Sequence, residues 1–64
     1  MLEGLYKVVL FTNDYRFIFR FAYDTDVEYI EFDKEVSPDC VNLYYSDQER
    51  AAECQAILES IVGG

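Results

Sequence analysis

The sequence predicts an α+β domain in which a four-stranded antiparallel meander is followed by one C-terminal helix packed on one face, in the order β-β-β-β-α. Three observations carry this. Two segments rich in β-branched and aromatic residues flank Asn13-Asp14, two further short runs of that kind lie at 28–32 and 41–45, and a capped amphipathic stretch begins at Ser46.

The first two strands are expected at 5–12 and 15–23, joined by a two-residue hairpin turn at Asn13-Asp14. Pairing Thr12 with Tyr15 would set Leu10 opposite Phe17, Val8 opposite Phe19 and Tyr6 opposite Phe21, so the large apolar pairs share one face, the core face. The other face would carry Lys7, Val9, Phe11, Arg16, Ile18 and Arg20. A four-residue connection at 24–27 leads to the third strand at 28–32, with Arg20 beside Glu31.

Ser37-Pro38 marks 33–39 as a loop, because proline cannot donate to a ladder. Residues 41–45 are expected to form the fourth strand, with Val41, Leu43 and Tyr45 on one face and Asn42 and Tyr44 on the other. Ser46-Asp47-Gln48-Glu49 reads as a capping box. The helix it opens would bury Ala51, Cys54, Ile57, Leu58 and Ile61 and end at Gly63-Gly64.

Sixty-four residues leave room for one core, so 1–64 is read as a single domain. An apolar content of 52% separates this chain from disordered acidic tails. Its formal charge of -8 repels nucleic acid and anionic lipid, which leaves proteins with a basic surface as the expected partners. No apolar run approaches the roughly 20 residues of a membrane helix. The opening Met1-Leu2-Glu3-Gly4-Leu5 lacks the basic region of a signal peptide, so the expected location is cytoplasmic.

Catalysis is not expected. There is no histidine, Cys40 and Cys54 have no evident base, and three glycines supply no phosphate loop. The two cysteines form no zinc motif and are expected as free thiols in a reducing compartment. Asp24, Asp26, Glu28 and Glu35 fall at positions 1, 3, 5 and 12 of a calcium-loop template. Tyr29 occupies the position that needs glycine, so neither metal nor cofactor is expected.

The densest feature is Asp24, Asp26, Glu28, Glu31, Asp33, Glu35 and Asp39, seven acids opposed within that segment only by Lys34. Crowding like charges costs folding energy through self-repulsion, so this belt is the first candidate binding site, docking on a basic groove. In size and charge the chain resembles the small acidic inhibitors that phages make against restriction and CRISPR systems, some of which mimic nucleic acid. That resemblance implies a viral inhibitor acting in the host cytoplasm on a nucleic-acid-binding protein.

A second candidate surface is the outer sheet face, with Val9, Phe11, Ile18, Tyr29 and Tyr44, which would pair two copies into a homodimer or join a larger assembly. Gly63-Gly64 also resembles the terminal pair at which ubiquitin-like sulfur carriers are activated. Those carriers place the tail after a strand of a β-grasp fold, whereas here it follows a predicted helix.

Overall fold

The computed structural model describes residues 4–63, and the side chains of 4–61. Along the chain run β1 (Tyr6–Phe11), α1 (Tyr15–Asp24), β2 (Tyr29–Phe32), β3 (Cys40–Tyr45) and α2 (Gln48–Gly63). The sheet has three strands in the order β1-β3-β2, and β3 is antiparallel to both neighbours. β1 and β2 therefore run parallel, with α1 crossing between them and β3 filling the gap. This corrects the four-stranded meander: the second expected strand is a helix, and one expected helix is two.

The physical reason lies at Asp14. Its Oδ1 accepts from the Phe17 amide at 3.1 Å and its carbonyl from Ile18, so Asn13-Asp14 opens a helix instead of turning a hairpin. The alternation across 16–21 fits a strand, but the same residues also fit a period of 3.6. Ile18 and Ala22 fall together and are buried, Phe17 and Phe21 stack with centroids 5.7 Å apart, and Arg20 meets Asp24 at 3.7 Å one turn on.

The helix ends in a Schellman turn. The Val27 amide donates to Ala22 O at 3.1 Å and the Asp26 amide to Tyr23 O at 3.4 Å. Asp26 takes φ +56°, the left-handed position that usually belongs to glycine. Thr25 Oγ1 donates to Phe21 O at 2.7 Å and shares a 2.7 Å hydrogen bond with the phenol of Tyr45, tying the helix end to β3.

β1 pairs with β3 instead of with 15–23, setting Tyr6 against Tyr45, Val8 against Leu43 and Leu10 against Val41. On the same sheet face, Ile30 of β2 lies against Leu43 and Phe32 against Val41. Val8, Leu10, Val41, Leu43 and Tyr45 join Ile18 and Ala22 of α1 and Ala51, Cys54 and Leu58 of α2 in one core. Each large side chain fully buried there contributes roughly 1.5–3 kcal/mol. Both helices thus cover one face, and among the described residues the other face of the sheet carries no helix.

α2 begins as expected, but Asp47 is its cap: Asp47 Oδ1 accepts from the Glu49 amide at 3.0 Å, and the Asp47 carbonyl accepts from Ala51. Ala51, Cys54 and Leu58 are buried, whereas Ile57 and Ile61 are exposed, contrary to expectation. The helix leans toward the β1 edge, where Gln55 Oε1 accepts from the Val9 amide at 3.4 Å. A narrow stripe of Ala51, Cys54 and Leu58 makes its contact with the core. No helix of the described residues is long and apolar enough to cross a membrane.

The Schellman turn yields a stability test. Asp26→Gly and Asp26→Ala both remove the carboxylate, so their difference isolates the left-handed backbone. Urea unfolding is expected to show the glycine variant more stable by about 1 kcal/mol. Equal stabilities would contradict the geometry.

Candidate functional site

The pairing of the sheet leaves one strand edge open. The Asp33 amide donates to Cys40 O at 3.1 Å, so residues 33 and 40 form a hydrogen-bonded pair. By antiparallel alternation Glu31 and Tyr29 also turn their backbone groups toward β3, and Ile30 and Phe32 turn theirs outward. Applied to β1, the bond from the Thr12 amide to Asp39 O turns Lys7, Val9 and Phe11 outward. There α2 reaches over the edge with Gln55. Among the described residues no such cover reaches Ile30 or Phe32.

An aromatic ridge overhangs the open edge. Tyr15 and Phe19 of α1 lie one turn apart and reach Phe32, with ring centroids at 5.9 and 6.3 Å. Tyr23 continues the ridge a turn further and is 84% exposed, too open to belong to the core. Lys34 Nζ sits 5.8 Å from the Phe32 centroid and donates to Pro38 O at 2.8 Å. Sequence reasoning missed this ridge because it placed 15–23 in a strand. The spacing Tyr15, Phe19, Tyr23 was the available signal, since three aromatics at intervals of four line one side of a helix.

The acidic belt is not one continuous row. Asp24, Asp26 and Glu28 stand before β2 and Asp33 and Glu35 after it, roughly 16 Å from Glu28 to Asp33 by strand geometry, while Asp39 sits at the β1 side, its carbonyl accepting from the Thr12 amide. Asp24 pairs with Arg20, and Asp26 accepts from Arg50 Nη1 at 3.1 Å. Asp33 Oδ1 accepts from the Val36 amide at 3.4 Å. Among the described residues Glu28, Asp33, Glu35 and Asp39 have no ion-pair partner.

Glu31 has a separate task. It lies on the helix-free face, where its Oε1 accepts from Asn42 Nδ2 at 3.0 Å and from the Tyr44 hydroxyl at 2.9 Å. The Asn42 bond, then the Tyr44 bond, hold its carboxyl below the usual range, and Lys7 adds to this. Burial, reinforced by the bond to Glu31, pushes the Tyr44 phenol up. Behind the sheet, burial pushes Tyr45 up to about 12.

Of the second predicted surface, Val9, Phe11, Tyr29 and Tyr44 do share the helix-free face, since their register partners alternate with the core set. Phe11 and Tyr29 are half-exposed and Tyr44 forms part of the floor. Ile18 is the correction: it is fully buried against the sheet in α1, because a helix turns it inward. Cys40 lies on the helix-free face and Cys54 in the core behind the sheet; both are buried free thiols.

A small cleft of about 320 Å³ lies between the α1 cap and the start of α2, lined by Asp26, Glu28, Tyr45, Ser46, Asp47 and Arg50. Arg50 forms part of its wall, donating to Thr25 O and Asp26. Among the described residues no three His, Cys, Asp or Glu side chains are grouped to hold a metal ion. The calcium template is broken, because Asp24 and Asp26 belong to the end of α1 and its cap. Gly64 of the terminal pair lies outside the described residues, and α2 continues through Gly63.

No protein-family model, curated protein or solved structure matches this chain.

The distinct roles of the acids are separable by mutation. Glu31→Ala strands the buried Asn42 amide and should lower the urea midpoint at neutral pH, whereas Glu35→Ala should leave it unchanged. Because Glu31's folded pKa is depressed, its contribution is present above the ordinary carboxylate range and lost as pH falls through the folded value. The gap between wild type and Glu31→Ala should close over that interval. A gap independent of pH would contradict the assignment.

Proposed function

We propose that this chain is a non-enzymatic, cytoplasmic protein-binding module that docks on a basic partner along the β2 edge. The observation that supports it most is the placement of Glu28 at one end and Asp33 and Glu35 at the other end of a free strand edge, without cation partners among the described residues. Unneutralised carboxylates raise the association rate of a positively charged partner and repel nucleic acid. The belt of seven narrows on this reading, since Asp24 and Asp26 hold arginines of the same chain and Glu31 holds the sheet face together. An inhibitor of a nucleic-acid-binding protein is the specific form this reading takes, with net negative charge as its support. Two separated acidic groups suit two basic contacts better than a continuous phosphate track.

A second reading places the contact on the helix-free face, in a homodimer or a larger assembly. The observation in its favour is that both helices pack on the opposite side, leaving Phe11 and Tyr29 half-exposed beside Val9.

One experiment separates the two. Affinity capture from a cell extract at low and high salt should compare wild type with a variant carrying Glu28→Gln, Asp33→Asn, Glu35→Gln and Asp39→Asn. Under the first reading the captured protein is basic and is lost both at high salt and by the variant, which itself stays folded. A catch that survives both changes would overturn it in favour of the open face.

A further inference from the structure

We propose that the partner is held by β-strand addition: an extended basic segment pairs with the outer edge of β2, beneath the aromatic ridge of α1. This rests on the acidic-docking reading above and specifies how the docked segment is bound. Ile30 and Phe32 offer two outward amides and two outward carbonyls, the hydrogen-bonding groups that an added strand requires.

The two faces of the edge dictate the pattern of the added strand. Residues opposite Ile30 and Phe32 lie on the helix side, where the half-exposed rings of Phe32, Phe19 and Tyr15 present an apolar wall. Residues between them lie on the other side, next to Glu31 and the half-exposed ring of Tyr29, and suit lysine or arginine. The ends of the added strand pass Glu28 at one side and Asp33 and Glu35 at the other. The matching segment therefore alternates apolar and basic residues.

Charge decides against a second copy as the occupant. An antiparallel pairing of β2 with itself would bring the Glu28 end of one chain against the Asp33 and Glu35 end of the other, opposing like charges at both ends. Acids at a short edge strand are a known defence against self-association, and here they leave the edge open to a basic strand. The β1 edge is a poorer site, because Gln55 occupies its Val9 amide.

The test uses the full chain, isotopically labelled, and the octapeptide of alternating lysine and valine as probe at low salt. Binding should slow hydrogen exchange at the Ile30 and Phe32 amides. N-methylation of the amides that face β2, the valine amides in antiparallel addition and the lysine amides in parallel addition, should weaken binding about tenfold or more, while N-methylation of the other set should leave it within about twofold. A lysine-glycine octapeptide of equal charge should bind more weakly than the lysine-valine probe. Equal affinity of all four peptides would overturn strand addition while leaving acidic docking in place. Failure of every basic peptide to bind would overturn both.

Discussion

The constraint on which the fold depends is the central position of β3. All six of its residues are buried, and its backbone is divided between two neighbours: 41, 43 and 45 face β1, and 40, 42 and 44 face β2. An antiparallel strand paired on both sides needs β1 and β2 to run the same way, so the chain must cross the sheet between them. α1 is that crossing. Its end is then anchored where Thr25 meets Tyr45, the last residue of β3. In so short a chain the helices suffice to cover one face, and the opposite face rests on side-chain bonds of its own, chiefly Glu31 with Asn42 and Tyr44.

The open edge follows from the same arrangement. α2 packs toward β1 and masks that edge with Gln55, while α1 lies on the side of Phe32 without supplying a backbone partner for β2. The short edge strand is protected from its own kind by the acids at its ends. Hydrogen-bonding groups, an apolar wall and unneutralised carboxylates thus meet along one side of the molecule.

Much of this order was legible in the sequence, because it is written locally. The segments of β1, β2, β3 and α2 are legible to within two residues, as are the core positions of Val8 and Leu10 and the shared face of Val41, Leu43 and Tyr45, whereas Tyr6 and Phe19, expected in the core, are exposed. The segment 15–23 reads as a strand because its aromatic residues favour strands and its alternation satisfies a period of two. The side chain of Asp14, which caps a helix, was read as a turn. Once that segment became a strand, Ile18 moved to the outer face and every pairing partner changed. The acids were visible as a run, but their division into arginine-bound, sheet-bound and free groups depends on Arg50, Asn42 and Tyr44, distant in sequence. The free edge was invisible, since strand order is set by non-local contacts.

Native-state hydrogen exchange of the unliganded protein, read amide by amide along β2, tests the central claim most directly. Tyr29 and Glu31 should be protected by their bonds to β3, while Ile30 and Phe32 between them should exchange rapidly at every protein concentration. Uniform protection along the strand, or protection of Ile30 and Phe32 that grows with concentration, would mean that the edge is already covered and would contradict the account.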